Sequence, residues 1–374
     1  MMPNIKINAK ALIIGVVTSL VLCLAMYVIH EFQMSRNSSA YIREAKRAQA
    51  ENRPEAAASH FMRYTLLKPN DVNGLVLFGM QLAEIGKTRP RELQGAYVTL
   101  QKALGLDPGN VEVRRKIADL AVQGGMYAEA IDNINILLKE FPEDVDLLEM
   151  LSDCLVARGD YNESEAMLES SIGKAPDRLS LYLKLANLRQ LKLNRPGDAV
   201  LPVNEMVAAN PDNPQAYFNR SEWLLERLNE LKNLARANRE KGQEYAAEIL
   251  KQADEDAQEA LKLAPDDIEM MVLAIRLAYE KRRIDELRKL AEQGIEQHPK
   301  DPRCYLALAE LEKSFRNDAA AIQVLSQGVA AIPSDPQLRW ALADVLIDTG
   351  DFDAAKSQFA VLRKSDFPEV RCSF

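Results

Sequence analysis

Three histidines and four cysteines are all that 374 residues supply of the side chains that most often ligate metals or act as nucleophiles. The histidines, His30, His60 and His298, have no Cys, Asp or Glu partner at ligand or triad spacing, so neither a metal centre nor nucleophilic catalysis has its parts. Cys23, Cys154, Cys304 and Cys372 are too widely spaced for a zinc motif and give no disulfide framework. Aromatics make up only 6% of the chain, against 47% hydrophobic residues in all, a balance that suits small-residue helix packing rather than sheets. No glycine-rich phosphate loop follows a strand pattern, and the 16 glycines are dispersed, so no flexible linker divides the chain. The net charge of −8 leaves nucleic acid without a general electrostatic reason to bind. No cofactor is implied, and the expectation is a binding protein and not an enzyme.

What is present is a ruler. Pro69, Pro108, Pro142, Pro176, Pro211, Pro265, Pro299, Pro333 and Pro368 close similar phrases, at successive gaps of 39, 34, 34, 35, 54, 34, 34 and 35 residues. A period of 34 is that of a helix-turn-helix unit which cannot bury its apolar face alone and must stack on a neighbour. Small and apolar residues recur in register with the prolines. The third phrase carries Ile117, Ala118 and Ala121, then Gly124 and Gly125 at the turn, then Ala130, Ile134 and Leu137. The second offers Leu75, Phe78, Gly79 and Leu82 followed by Ala96, Leu100 and Ala103, and the ninth Leu342, Ala343, Leu346, Gly350, Ala355 and Phe359. Carboxylates such as Asp144, Asp146, Asp160 and Asp353 fall at helix starts and turns, where they cap and solvate.

Two insertions interrupt the period. Residues 87–91 enlarge one turn. Twenty more residues lengthen the sixth unit, where Leu224, Leu228, Leu231 and Ala235 keep helical spacing on one arm and Ala246, Ile249, Ala253 and Ala257 answer on the other. The sequence predicts an elongated hairpin over 214–265, with its turn at Lys241 and Gly242, serving as a solvated spacer or a partner contact. Ser164 and Ser171 replace alanines in the fourth unit, where less regular packing is expected.

The run from Ala11 to Ile29 holds nineteen residues without a charge. At 1.5 Å per residue it nearly covers a hydrocarbon core of roughly 30 Å, so one transmembrane helix is expected over 11–30, after a short tail of residues 1–10. A cleaved signal peptide is the competing reading, although its apolar region should be shorter and its small-residue cleavage site closer. Lys6 and Lys10 before the span, and Arg36, Arg43, Lys46 and Arg47 after it, leave the charge rule undecided. The simpler topology keeps the tail in the cytoplasm and the repeats outside, the alternative being repeats that face the cytoplasm.

The units resemble tetratricopeptide repeats, on the recurrence of a large residue, Leu-Gly or Leu-Ala, and then Ala, a large apolar residue, Ala and Pro. The resemblance covers residues 38–368, followed by a tail at 369–374. It implies an all-α solenoid of about nine hairpins wound as a right-handed superhelix. It implies too that a protein or peptide partner binds in the groove lined by the first helices. Carried over residue by residue, the apolar groove positions include Val76, Phe218, Val272, Leu306 and Trp340. The polar ones include Lys116, Asp119, Lys184, Asn187, Asn219, Glu222, Arg276 and Glu310. Asn187 and Asn219 match two asparagines of the carboxylate clamp of chaperone-binding members, but Glu269 and Leu273 stand where that clamp needs Lys and Arg. In layout the chain is similar to anchored repeat proteins of bacterial envelope assembly and polysaccharide export, which implies a bacterial inner membrane. A carbohydrate-binding or glycosyltransferase-associated subunit is the alternative, with Phe218, Tyr279 and Trp340 as rings that stack on sugars.

Overall fold

The structure, a computed structural model, describes residues 38–234 and 239–363, with isolated positions at 18, 19, 22 and 26, and the side chains of 229–244 are not described. Every regular element is helical: eighteen α-helices and no strand among the described residues. The expected membrane span at 11–30 lies almost wholly outside the described residues, and among those described no helix is long and apolar enough to cross a membrane.

The helices form two compact units. The first, Met1–Lys174, contains α1 (38–50), α2 (Pro54–Leu67), α3 (Val72–Gly86), α4 (Arg91–Leu106), α5 (Val111–Gln123), α6 (Tyr127–Glu140), α7 (Val145–Arg158) and α8 (Tyr161–Lys174). The second, Ala175–Phe374, contains α9 (Leu179–Asn187), α10 (Val200–Ala209), α11 (Pro214–Leu234), α12 (Arg239–Leu263), α13 (Ile268–Glu280), α14 (Ile284–Gln297), α15 (Pro302–Ser314), α16 (Asp318–Ala331), α17 (Pro336–Asp348) and α18 (Phe352–Leu362). Within each unit successive helices pair as hairpins and the hairpins stack in chain order, the arrangement of an α-solenoid.

The proline phrase explains where the first helices begin. Two residues past the proline an Asp or Asn side chain caps the next helix. Asp71 accepts from the Gly74 amide, Asn110 from Val113, Asp144 from Leu147, Asp301 from Arg303 and Asp335 from Leu338. Each such cap stabilises its helix by about 1 kcal/mol. Six residues past the proline a side chain reaches back to the proline carbonyl. Arg114 donates to Pro108 at 2.8 Å, Tyr182 to Pro176 and Tyr305 to Pro299 at 3.2 Å, and Arg339 to Pro333 at 2.9 Å.

Within a hairpin the two helices meet through small, buried residues. Ala118, Ala121 and Ala130 are fully buried, and Gly79 lies against Leu100 with no room for a β-carbon. The serines of the fourth hairpin are accommodated by hydrogen bonds. Ser152 and Ser164 share a buried hydroxyl-hydroxyl hydrogen bond of 2.8 Å, and Ser171 donates to the Met167 carbonyl, so each polar group is satisfied where an alanine was expected.

The sixth hairpin consists of α11, 21 residues long, and α12, 25 residues long. Leu224, Leu228, Ile249, Ala253 and Ala257 are buried along it. Its turn is not at Lys241 and Gly242, which lie inside α12. A single glycine costs a helix only about 1 kcal/mol, too little to end one this long. The hairpin before it departs from the pattern in another way, since α9 runs into a π-helical turn at Leu188–Lys192. Trp223 donates from Nε1 to Asn187 Oδ1 at 3.0 Å. Arg227 is buried between the rings of Trp223 and Tyr245, at 5.5 and 5.7 Å, and donates to the Pro196 carbonyl at 2.8 Å.

Candidate functional site

A residue on one face of a helix recurs every three or four positions, so a groove that crosses several first helices should draw on the same offsets in each. Two pockets, one in each unit, do so. In the first unit a pocket of about 610 Å³ is lined by Met80, Ala83, Glu84 and Lys87 from α3 and its end, Glu112, Arg115, Lys116 and Asp119 from α5, and Asp146 and Met150 from α7. In the second unit a pocket of about 250 Å³ is lined by Val272, Ile275, Arg276 and Tyr279 of α13, Leu287 of α14, and Arg303, Ala307 and Glu310 of α15. Counted from the preceding ruler proline, Met80, Asp119, Arg276 and Glu310 all occupy the eleventh place, and Lys116, Met150 and Ala307 the eighth. The two pockets are thus the same face of the repeat, met twice.

The chemistry on that face differs between the units. In the first, charges of both signs surround a methionine floor: Arg115 pairs with Asp144 at 2.5 Å, Lys116 with Asp119 at 2.6 Å, and Lys87 with Glu84 at 2.6 Å. The Arg115 hydrogen bond is the main reason that the Asp144 carboxyl is held below its ordinary pKa. In the second, the surface inside the pocket is mostly aliphatic and the charges stand at its edge. Arg276 pairs with Glu222 of α11 at 2.6 Å. Arg303 donates to both carboxylate oxygens of Glu269, at 2.7 and 2.8 Å, and to its own helix cap Asp301 at 2.8 Å. These hydrogen bonds push the Arg303 pKa up and hold Glu269 and Asp301 below the usual carboxylate range.

Of the groove residues expected from sequence, Arg276 and Tyr279 meet in the second pocket and Lys116 lines the first. Tyr279 is half exposed, at 50%. Asn219 accepts from Gln215 one turn before it, at 2.8 Å, and neighbours the half-buried Phe218. Asn187 is exposed, and its side-chain oxygen accepts from Trp223 Nε1 in the next hairpin, a tertiary contact that the offset pattern does not reveal. Lys184 lies half-buried on α9. Trp340 is also half-buried, its ring set edge-on against Phe359 of its own hairpin at 5.6 Å. Glu269, the residue that breaks the carboxylate-clamp match, is held by Arg303.

Arg303, Ala307, Ile275, Leu287 and Arg115 were missed. Arg303, Ala307 and Arg115 stand one helical turn from positions that were chosen, so extending each stripe by three or four residues would have found them. Leu287 belongs to the second helix of its hairpin, a contribution that an inventory of first helices omits. Cys154 and Cys304 are buried free thiols, pushed up to about 11 chiefly by burial, and take no part in either pocket.

Residues 91–151, 127–188 and 317–371 match a family model described as tetratricopeptide repeat, and these segments carry repeats of that type. No curated protein sequence matches the chain significantly. Among solved structures, a MamA chain from Desulfovibrio magneticus is 15% identical, aligned over 47% of this chain and 96% of that one, with a TM-score of 0.41. A tetratricopeptide repeat protein from Parabacteroides merdae is 14% identical over 69% and 94% of the two chains, also with a TM-score of 0.41. PilF of Pseudomonas aeruginosa is 15% identical over 61% and 95%, with a TM-score of 0.40. Likeness at this level says nothing of what this chain binds.

Proposed function

We propose that the chain is a protein-protein interaction scaffold that holds an extended segment of a partner protein along the exposed face of its first helices. The observation that carries this reading is the recurrence of the same offsets around a pocket in each unit. A face built only to be solvated has no reason to repeat an apolar-floored depression at one register. In this reading residues 11–30 anchor the scaffold as a single membrane span, supported by the charge-free run from Ala11 to Ile29. We place the repeats outside a bacterial inner membrane, with envelope assembly or polysaccharide export as the setting, on layout alone. The proposal is of a binding protein and assigns it no reaction.

Photo-crosslinking from within the full-length, membrane-embedded chain tests the binding surface. A photoreactive residue in place of Tyr279 should capture the partner, and one in place of Leu66, exposed on the second helix α2, should not. Capture from Leu66 and not from Tyr279 would move the binding surface to the opposite face. Reporter fusions before residue 11 and after residue 363 decide the topology separately.

A further inference from the structure

The second-unit pocket is specific enough to describe what enters it. Its volume of about 250 Å³ falls below the roughly 300–1,000 Å³ of pockets that enclose whole small molecules, so it is matched to one side chain. Val272, Ile275, Leu287 and Ala307 make that cavity apolar. The rim is charged, and its charges do not balance. Arg276 is neutralised by Glu222 at 2.6 Å, and Arg303 by Glu269 and Asp301 at 2.7 and 2.8 Å. Glu310, exposed on the lining, makes no ion pair among the described residues. Two guanidinium groups thus stand against four carboxylates, an excess of two negative charges, and Glu310 is the one of the four that lines the pocket itself.

We infer that this pocket takes one bulky apolar side chain of a partner segment that carries a lysine or arginine within a few residues, the cation pairing with Glu310. The inference rests on the groove reading and narrows it to a partner of basic and apolar chemistry. The selectivity is opposite in sign to that of a carboxylate clamp, which recognises an anionic tail. Burial of the apolar anchor supplies the affinity, and the exposed charge pair supplies the choice between sequences.

The test uses the full chain in detergent, panned with a random dodecapeptide display library. Selected peptides should share a Phe, Trp or Leu with a nearby Lys or Arg. Their affinities, read by fluorescence anisotropy, should fall at least about tenfold on Ala307→Trp, which fills the pocket, and on Tyr279→Ala, which opens its wall. Glu310→Lys changes only an exposed side chain, so it leaves the fold intact. It should weaken basic peptides by about two- to fivefold, the worth of an exposed ion pair, and strengthen peptides in which Glu replaces the flanking Lys. Peptides that respond to Ala307→Trp and Tyr279→Ala but lack basic flanks, or ignore Glu310→Lys, would overturn the charge preference and leave the groove reading standing. Binders indifferent to all three variants, or no binders at all, would overturn both at this hairpin.

Discussion

Gly294 is a place where one added carbon should be felt through three helices. A β-carbon built there lies 2.4 Å from the Cys304 sulfur, 2.9 Å from the Met271 sulfur and 3.3 Å from the Cys304 β-carbon. Non-bonded carbon contacts are comfortable at about 3.5–4.0 Å, so the Cys304 sulfur must yield by about an ångström or more and the Met271 sulfur by somewhat less. Both neighbours are wholly buried, and the Cys304 sulfur, two bonds from its Cα, can move only by rotation about χ1. Overpacking of this kind costs about 1–3 kcal/mol, while replacing glycine by alanine within a helix returns about 1 kcal/mol. Gly294→Ala should therefore lose about 1 kcal/mol, a fall of about 2–4 °C in melting temperature for a unit of this size. Gly105, near the end of α4 with nothing within 4 Å of its would-be β-carbon, is the control: Gly105→Ala should hold or raise the midpoint. Because the Cys304 sulfur is the main obstacle, Gly294→Ala combined with Cys304→Ala should be more stable than the two single losses added, with a coupling of about 1 kcal/mol. Thermal melts by far-UV circular dichroism measure all four. A Gly294→Ala protein that melts at or above the parent, or a double variant that is merely additive, would refute the packing argument.

Arg227→Ala should cost about 2 kcal/mol, because it removes a buried guanidinium stacked between Trp223 and Tyr245 and bonded to the Pro196 carbonyl. Amide exchange should rise first around residues 193–199. The thiols of Cys154 and Cys304, pushed up to about 11 by burial, should resist alkylation at about pH 8 in the folded protein and react once denatured. Rapid labelling of the folded chain at either would contradict their burial. Glu269 and Asp301 are held below their ordinary values of 4.5 and 3.8 by hydrogen bonds from Arg303, so the folded state binds protons there less readily than the unfolded chain. Their contribution is complete above those values and is lost as pH falls through the lowered ones. The melting midpoint should drop between about pH 5 and pH 2, and drop less steeply in Arg303→Gln; an identical slope in the variant would place the acid sensitivity elsewhere.

The helical hairpins were legible because their signals are local and repeated: the proline, the cap two residues on, the alanines at the crossing, all within 34 residues. What escaped depends on atoms far apart in the chain. Asn187 sits at a groove offset, yet its oxygen is claimed by Trp223, 36 residues away, and the π-helical turn that follows it interrupts the register. Lys241 and Gly242 read as a turn because glycine breaks helices on average, but helical sequence on both sides outweighs one such residue. Arg227 drew no notice since an arginine amid charged residues reads as solvated surface, and nothing nearby in sequence announces the two rings that enclose it. The pocket at Val272 was half visible. Its first-helix stripe follows from periodicity, whereas Leu287 enters from the second helix, and the pairing of Arg303 with Glu269 joins neighbouring hairpins.

The backward reach to the proline carbonyl separates what marks a repeat from what fastens it. The acceptor is a main-chain oxygen, which any amino acid provides; the donor, six places later, is a side chain that varies between arginine and tyrosine. The latch can thus survive loss of the proline and change its donor without changing its geometry. One such latch, Tyr305 on Pro299, lies in the stretch between 188 and 317 that the repeat pattern leaves unmatched. A hairpin can drift out of recognisable sequence and still be fastened to its predecessor by the same knot.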